Sequence, residues 1–143
     1  IGTIFLVVGS VYPGGTIEAG LTGPEQAGAM GRWICQGVFL ADVATAEPGA
    51  TIVSSTVQIL LGDGLSATAG RLEEVTDALV TVGLEQQTGE LTRTIAGGHG
   101  RYAGARGEVV QTVRGANNTV LQISPEIAVP GGNFTLAFRF ATE

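Results

Sequence analysis

Short runs in which apolar and polar residues alternate, cut at intervals by glycine, dominate this 143-residue chain. In the closing run Phe134, Leu136, Phe138 and Phe140 share one parity, and Thr135, Ala137 and Arg139 the other. That is the period of a β-strand with one covered face. Residues 31–40 repeat it, with Trp33, Cys35, Gly37 and Phe39 opposing Arg32, Ile34, Gln36 and Val38. Runs rich in Val, Ile, Thr and Phe predict strands near 1–12, 31–42, 51–61, 64–72, 78–86, 90–96, 106–115, 118–124 and 133–141, eight or nine in all. Turn chemistry separates several of them: Pro13-Gly14-Gly15, Glu47-Pro48-Gly49, the hairpin signal Gly62-Asp63-Gly64, Gly115-Ala116-Asn117-Asn118 and Pro130-Gly131-Gly132-Asn133. Helical character is confined to 71–79, as one turn of helix or a loop, before Leu79-Val80-Thr81-Val82 resumes a strand. Residues 13–30 lack a clear pattern and read either as a functional lid or as a mobile loop. Consecutive strands joined by short turns predict an antiparallel meander, and closure removes its aggregation-prone edges. The expectation is one all-β domain over residues 1–143, a single antiparallel barrel of eight to nine strands with an apolar lumen.

Composition sharpens this picture. Hydrophobic residues make up 44% and charged residues 14%, the balance of a packed globule rather than a disordered chain. Net charge is −6, and the seven cations are all Arg, scattered at 32, 71, 93, 101, 106, 114 and 139. An acidic chain without a basic patch argues against nucleic acid and anionic membranes as partners. No apolar run reaches the roughly 20 residues of a membrane helix. The single cysteine, Cys35, excludes an intramolecular disulfide and a multi-cysteine metal site. It fits a reducing compartment, so a cytoplasmic location is expected, with a removed signal peptide left open because the chain begins at Ile1. Arg without Lys, amid abundant Ala, Gly and Val, reads as a GC-rich bacterial composition. In residues 1–8, Ile4, Leu6 and Val8 oppose Thr3, Phe5 and Val7, so both faces are apolar. A strand of that kind is covered on both sides, which predicts a homo-oligomer, dimer or trimer.

Candidate chemistry is sparse. His99 is the sole histidine, so no zinc ligand set of the usual kind exists, and no metal or cofactor is expected. The corner Gly97-Gly98-His99-Gly100-Arg101-Tyr102-Ala103-Gly104-Ala105-Arg106-Gly107 lies between strands. It is therefore not a dinucleotide fingerprint, which needs a following helix. Glycines there let the backbone pass closely. Tyr102 either plugs the barrel end, bonding a backbone carbonyl, or brings its phenol to a ligand, and Arg106 is its charged neighbour. Cys35 is a small core residue or a nucleophile with His99 as its one available base. Trp33, with Phe39 and Phe138, fills the core or stacks on a ligand. Glu73 and Glu74 read as a solvated face, and Glu108 and Gln111 point opposite ways.

The corner resembles the glycine-rich signature of the allene oxide cyclase and dirigent barrel superfamily, roughly Gly-Gly-x-Gly-x-aromatic-x-Gly-Ala-x-Gly. Gly31-Arg32-Trp33-Ile34-Cys35 is similar to the strand before that superfamily's first long hairpin, and Leu60-Leu61-Gly62-Asp63-Gly64-Leu65-Ser66-Ala67-Thr68-Ala69-Gly70 to its Leu-Gly-Asp-Gly hairpin. The resemblance covers roughly residues 31 to 125. It implies an eight-stranded barrel whose apolar lumen takes small apolar molecules without metal or redox cofactor. Members close rings in fatty-acid epoxides, steer the coupling of phenolic radicals, or, in the bacterial spirotetronate cyclases, close polyketide rings by a Diels–Alder-type cycloaddition. The bacterial composition and short length sit best with the third group. Under this resemblance Cys35 maps to a lumen cysteine, Tyr102 and Arg106 are the candidate catalytic residues, and Trp33, Cys35, Phe39 and Phe138 the candidate substrate-binding ones. The implied activity is a cofactor-free cyclase of natural-product biosynthesis. The alternative is a dirigent-like binding protein that steers a reaction performed by another enzyme.

Overall fold

The computed structural model describes residues 1–17, 27–42, 45–47, 50–86, 89–125 and 127–141. Seven strands follow one another: β1 (Ile4–Val11), β2 (Gly31–Phe39), β3 (Thr51–Leu61), β4 (Asp77–Gln86), β5 (Glu90–His99), β6 (Gly107–Ser124) and β7 (Ile127–Phe140). They form one antiparallel sheet in chain order, each strand paired with the next. Two single 3-10 turns, Leu72–Glu74 and Gly100–Tyr102, are the helical structure of the described residues. None of these is long and apolar enough to cross a membrane as a helix.

Alternation decides which side is inside. On β3, Val53, Val57, Ile59 and Leu61 are buried, and the ladder carries this face to Cys35 of β2 and Leu79 of β4. Cys35, Val57, Ile59, Leu61, Leu79 and Ile95 form the core cluster. Leu136 and Phe138 of β7 pack on the same cluster as Phe5 and Val11 of β1, so the sheet curls back on itself. The clearest sign is the stack of Trp33 on β2 against Phe134 on β7, at 6.0 Å between ring centroids. The result is a curled half-barrel. Among the described residues no ladder joins β1 to β7, so the sheet remains open at those two edges.

The count of seven corrects the expected eight or nine, and closure into a barrel does not follow from these ladders. Two local reasons account for the difference. Residues 64–72 do not form a strand. Gly64 does take the positive φ expected of the turn, +74°. Beyond it, however, the Ser66 and Ala69 carbonyls accept hydrogen bonds from the Arg32 side chain, at 2.7 and 2.8 Å, rather than from a neighbouring strand. Leu65 is tucked beneath that loop, 2% exposed. The segments 106–115 and 118–124 are one strand, because Gly115-Ala116-Asn117-Asn118 is absorbed as irregularities within the β6–β7 ladder. Gly115 at φ +111° and the Asn117 side-chain Nδ2 donating to Asn133 Oδ1 at 3.1 Å replace the expected turn. Pro130-Gly131-Gly132-Asn133 likewise runs through β7. Of residues 13–30, read as a lid or a mobile loop, 18–26 lie outside the described residues.

The glycine corner does build a tight crossing. β5 ends at His99, one 3-10 turn follows, and β6 starts at Gly107. A Cβ on Gly98 would collide with the carbonyl oxygens of Tyr102 and Ala78. The turn is pinned from outside by Asp77, whose Oδ1 accepts the Arg101 backbone N–H at 2.8 Å and whose Oδ2 pairs with the Arg101 guanidinium at 2.9 Å. That backbone bond is the main reason its carboxyl lies below the ordinary 3.8.

Gly97→Ala and Gly98→Ala test the crossing side by side. The nearest atom to a Cβ on Gly97 is an Arg106 nitrogen at 3.8 Å, an ordinary contact. Gly98→Ala should lose about 1–3 kcal/mol of stability in urea unfolding, as expected for overpacking against backbone, while Gly97→Ala should stay near the native value.

Candidate functional site

The concave face of the sheet encloses a cleft of about 1390 Å³. Its walls are mainly apolar and come from strands far apart in sequence: Phe5 and Val7 of β1, Trp33, Cys35 and Phe39 of β2, Ile59 and Leu61 of β3, Leu79 of β4, and Phe134, Leu136, Phe138 and Phe140 of β7. Phe5 and Phe39 meet at 5.1 Å, and Phe138 and Phe140 stack at 6.1 Å. Such a concave, aromatic-lined space with few polar groups is the ordinary form of a small-molecule site.

Trp33, Cys35, Phe39, Phe138 and Tyr102 therefore share one cleft. Tyr102 stands at its end, packed on the core cluster and stacked on Phe140 at 5.7 Å, with the Arg101 guanidinium 5.3 Å from its ring centre. Arg106 is elsewhere. It is exposed, donates to the Ala105 carbonyl at 2.8 Å and the Ala96 carbonyl at 3.4 Å, and lines a shallow rim pocket with Arg101, Tyr102 and Phe140. His99, Glu73 and Glu74 are exposed, and Glu73 pairs with Arg71 at 2.6 Å. Glu108 is exposed, whereas Gln111 is buried and its Oε1 has no partner among the described residues. No group of three metal-ligating side chains occurs among those residues.

One polar cluster interrupts the apolar wall, and the sequence reading did not single it out. Glu85 of β4 lines the cleft. Its Oε1 accepts from Arg93 Nη1 at 3.0 Å, from the Ser55 hydroxyl and from the Cys35 thiol at 3.3 Å. The Arg93 side chain is wholly buried and that of Glu85 12% exposed. Arg93 also donates through Nε to Thr81 Oγ1 at 3.2 Å and through Nη2 to the Ser55 carbonyl at 3.1 Å. Each of its nitrogens thus has a partner. Backbone placement explains the geometry. Thr81, Gly83 and Glu85 share the inward face of β4, and Ser55 sits opposite Gly83 on β3. A Cβ on Gly83 would press on Arg93 Cγ and Cβ at 3.2 and 3.3 Å, so glycine leaves the lane through which Arg93 crosses β4. A signal was present: a charged residue at the inward parity after Leu79, Thr81 and Gly83 must find an opposite charge, because an unpaired buried charge is prohibitively costly.

The same burial acts on Cys35. Loss of solvation, then the nearby Glu85 charge, raises its thiol from the ordinary 9.0 to about 12. The S–H donates to Glu85 and stays protonated at neutral pH, which makes the thiol a poor nucleophile. A raised folded-state value contributes stability that is fully present below the unfolded value near 9 and is lost as pH rises toward 12. Native protein at pH 8 should therefore react with a thiol-specific disulfide reagent at least about tenfold more slowly than unfolded protein, because the thiolate is the reacting form and each unit of raised pKa lowers its fraction about tenfold. Cys35→Ala should flatten the alkaline loss of stability between pH 9 and 12.

Comparison with known proteins finds no matching family model, no matching curated protein and no matching solved structure.

Proposed function

We propose that this chain is a cofactor-independent cyclase that closes a ring in a linear, largely apolar substrate held in the cleft, by cycloaddition of the Diels–Alder type. The observation that carries this reading is the cleft itself, an aromatic-walled space of about 1390 Å³ whose lining includes Trp33, Phe39 and Phe138. A wall of that shape folds a flexible chain and keeps its reacting ends together. Well-oriented groups gain about 7–11 kcal/mol over free encounter. Tyr102, which lines the cleft, holds a substrate carbonyl in this reading, and Arg106, which lines the rim pocket, acts there. In this reading the curled seven-stranded sheet is a barrel of the allene oxide cyclase and dirigent type, located in the bacterial cytoplasm. The glycine corner supports that kinship, and the free edges β1 and β7 supply the need for closure.

A linear polyene–tetronate precursor tests the activity. Addition of the protein should raise the cyclisation rate well above the uncatalysed one and give one stereoisomer. An unchanged rate and product mixture would contradict the cyclase. An unchanged rate with altered stereochemistry once an oxidase is supplied would instead favour the steering role.

Self-association belongs to the same proposal. The outward residues of β1 are exposed and apolar, Ile4 at 79%, Leu6 at 65% and Val8 at 41%. The ladder aligns them with Val38 and Ile34 of β2, and β4 adds Leu84 at 52%. A second copy covers this face. Light scattering at micromolar concentration should show a dimer or trimer, and Leu6→Asp a monomer; a native monomer would contradict it.

A further inference from the structure

We infer that the Glu85 carboxylate is a hydrogen-bond acceptor built into the cleft wall, which selects apolar molecules carrying a hydroxyl donor, such as a phenol, enol or alcohol. The inference rests on the reading that the cleft holds a ligand, and it names the chemistry of that ligand. Glu85 and Arg93 form the one ion pair in the interior among the described residues; the other two involve the exposed Arg71 and Arg101 side chains. The pair is oriented. Arg93 is not part of the cleft lining, and its three nitrogens are turned to Thr81, Ser55 and Glu85. The cleft therefore meets the anionic partner of the pair. On Glu85 every protein donor converges on Oε1, and Oε2 receives no hydrogen bond from the described residues. A carboxylate oxygen left without a donor beside an apolar wall is satisfied by a ligand donor and rewards no acceptor. An ether, ester or carboxylate of the same shape leaves it unpaired or adds a second negative charge. Arg93 and the Ser55 hydroxyl hold the carboxylate in place beforehand, so a ligand donor meets an acceptor already oriented.

Trp33 is the chain's single tryptophan and lines the cleft, so its fluorescence reports occupancy directly. The probes are 4-hexylphenol and 4-hexylanisole, alike in shape and differing in the donor. The native chain should bind the phenol about tenfold more tightly, the scale of one hydrogen bond to a charged group. Removing Glu85 alone strands a buried Arg, so the variant is the pair Glu85→Leu with Arg93→Met, since apolar replacement of a buried ion pair is commonly tolerated. Folding is checked by circular dichroism, and the two probes should then bind alike. In native protein carrying 13C-labelled glutamate, the Glu85 carboxyl resonance should shift with the phenol and not with the anisole, which assigns the contact even where the double variant fails to fold. Equal binding of both probes to native protein overturns the donor preference and leaves the apolar cleft standing. Phenol binding without a shift at Glu85 overturns the assignment. Binding of neither probe overturns the cleft reading as well.

Discussion

An ion pair inside an apolar wall is the constraint around which the interior is arranged. Removing the charges of Glu85 and Arg93 from water costs several kcal/mol per ion, and only close pairing with further hydrogen bonds offsets it. The compensation is visible residue by residue. Gly83 gives up a side chain so that Arg93 can cross, Thr81 and the Ser55 carbonyl take its remaining nitrogens, and Ser55 and Cys35 donate to Glu85. Four strands, β2 to β5, are tied together on their concave face by these contacts. Replacing the set with packed hydrophobes would be as stable or more so by ordinary expectation. Its presence on the wall of a cleft is therefore more readily understood as binding chemistry than as a source of stability.

The rest of the architecture presents that wall. Consecutive antiparallel pairing makes the sheet, and curling brings β7 over β1 and β2, where Phe134 meets Trp33. The glycine corner allows the turn from β5 to β6 to hug the sheet end, with Tyr102 stacked on Phe140 beside it. The long β6–β7 hairpin carries its own bulges, and those let one ribbon follow the curvature instead of breaking into two strands. The two faces then differ in kind. The concave face is a cleft, and the alternate face of β1, with Ile4, Leu6 and Val8, is exposed aliphatic surface at the open edge of that cleft.

Much of this was legible from the chain alone. Alternation on 134–140 and 31–39 places Phe138, Trp33, Cys35 and Phe39 on one interior, because a period of two leaves no other arrangement once one face is buried. The bounds of β4 and the start of β5 follow to within a residue, whereas β5 runs three residues beyond the expected 96, to His99. What escaped depended on partners distant in sequence. Arg32 capturing the carbonyls of the 66–69 loop is a contact across more than 30 residues, and no local turn rule foresees it. Asparagine and glycine at 115–118 carry turn chemistry, yet a bulge uses the same residues for the same reasons, and pairing with β7 decides between them. The polar cluster was hidden by a similar ambiguity. Arg106, flanked by glycines, drew attention as a site residue but lies at the rim, while Arg93, in an unremarkable Thr-Arg-Thr stretch, is the buried one. Parity alone would have found it, since Arg93 falls in phase with Ile95 on the inward face of β5.

A cleft that binds its ligand against Glu85 is the central claim, and a crystal structure of the native protein grown with 4-hexylphenol tests it most directly. The account places the alkyl chain between Trp33 and Phe138, with the phenol oxygen within hydrogen-bond distance of Glu85 Oε2. A cleft filled by collapsed side chains, or a ligand found on the exposed aliphatic face of β1 alone, would contradict it.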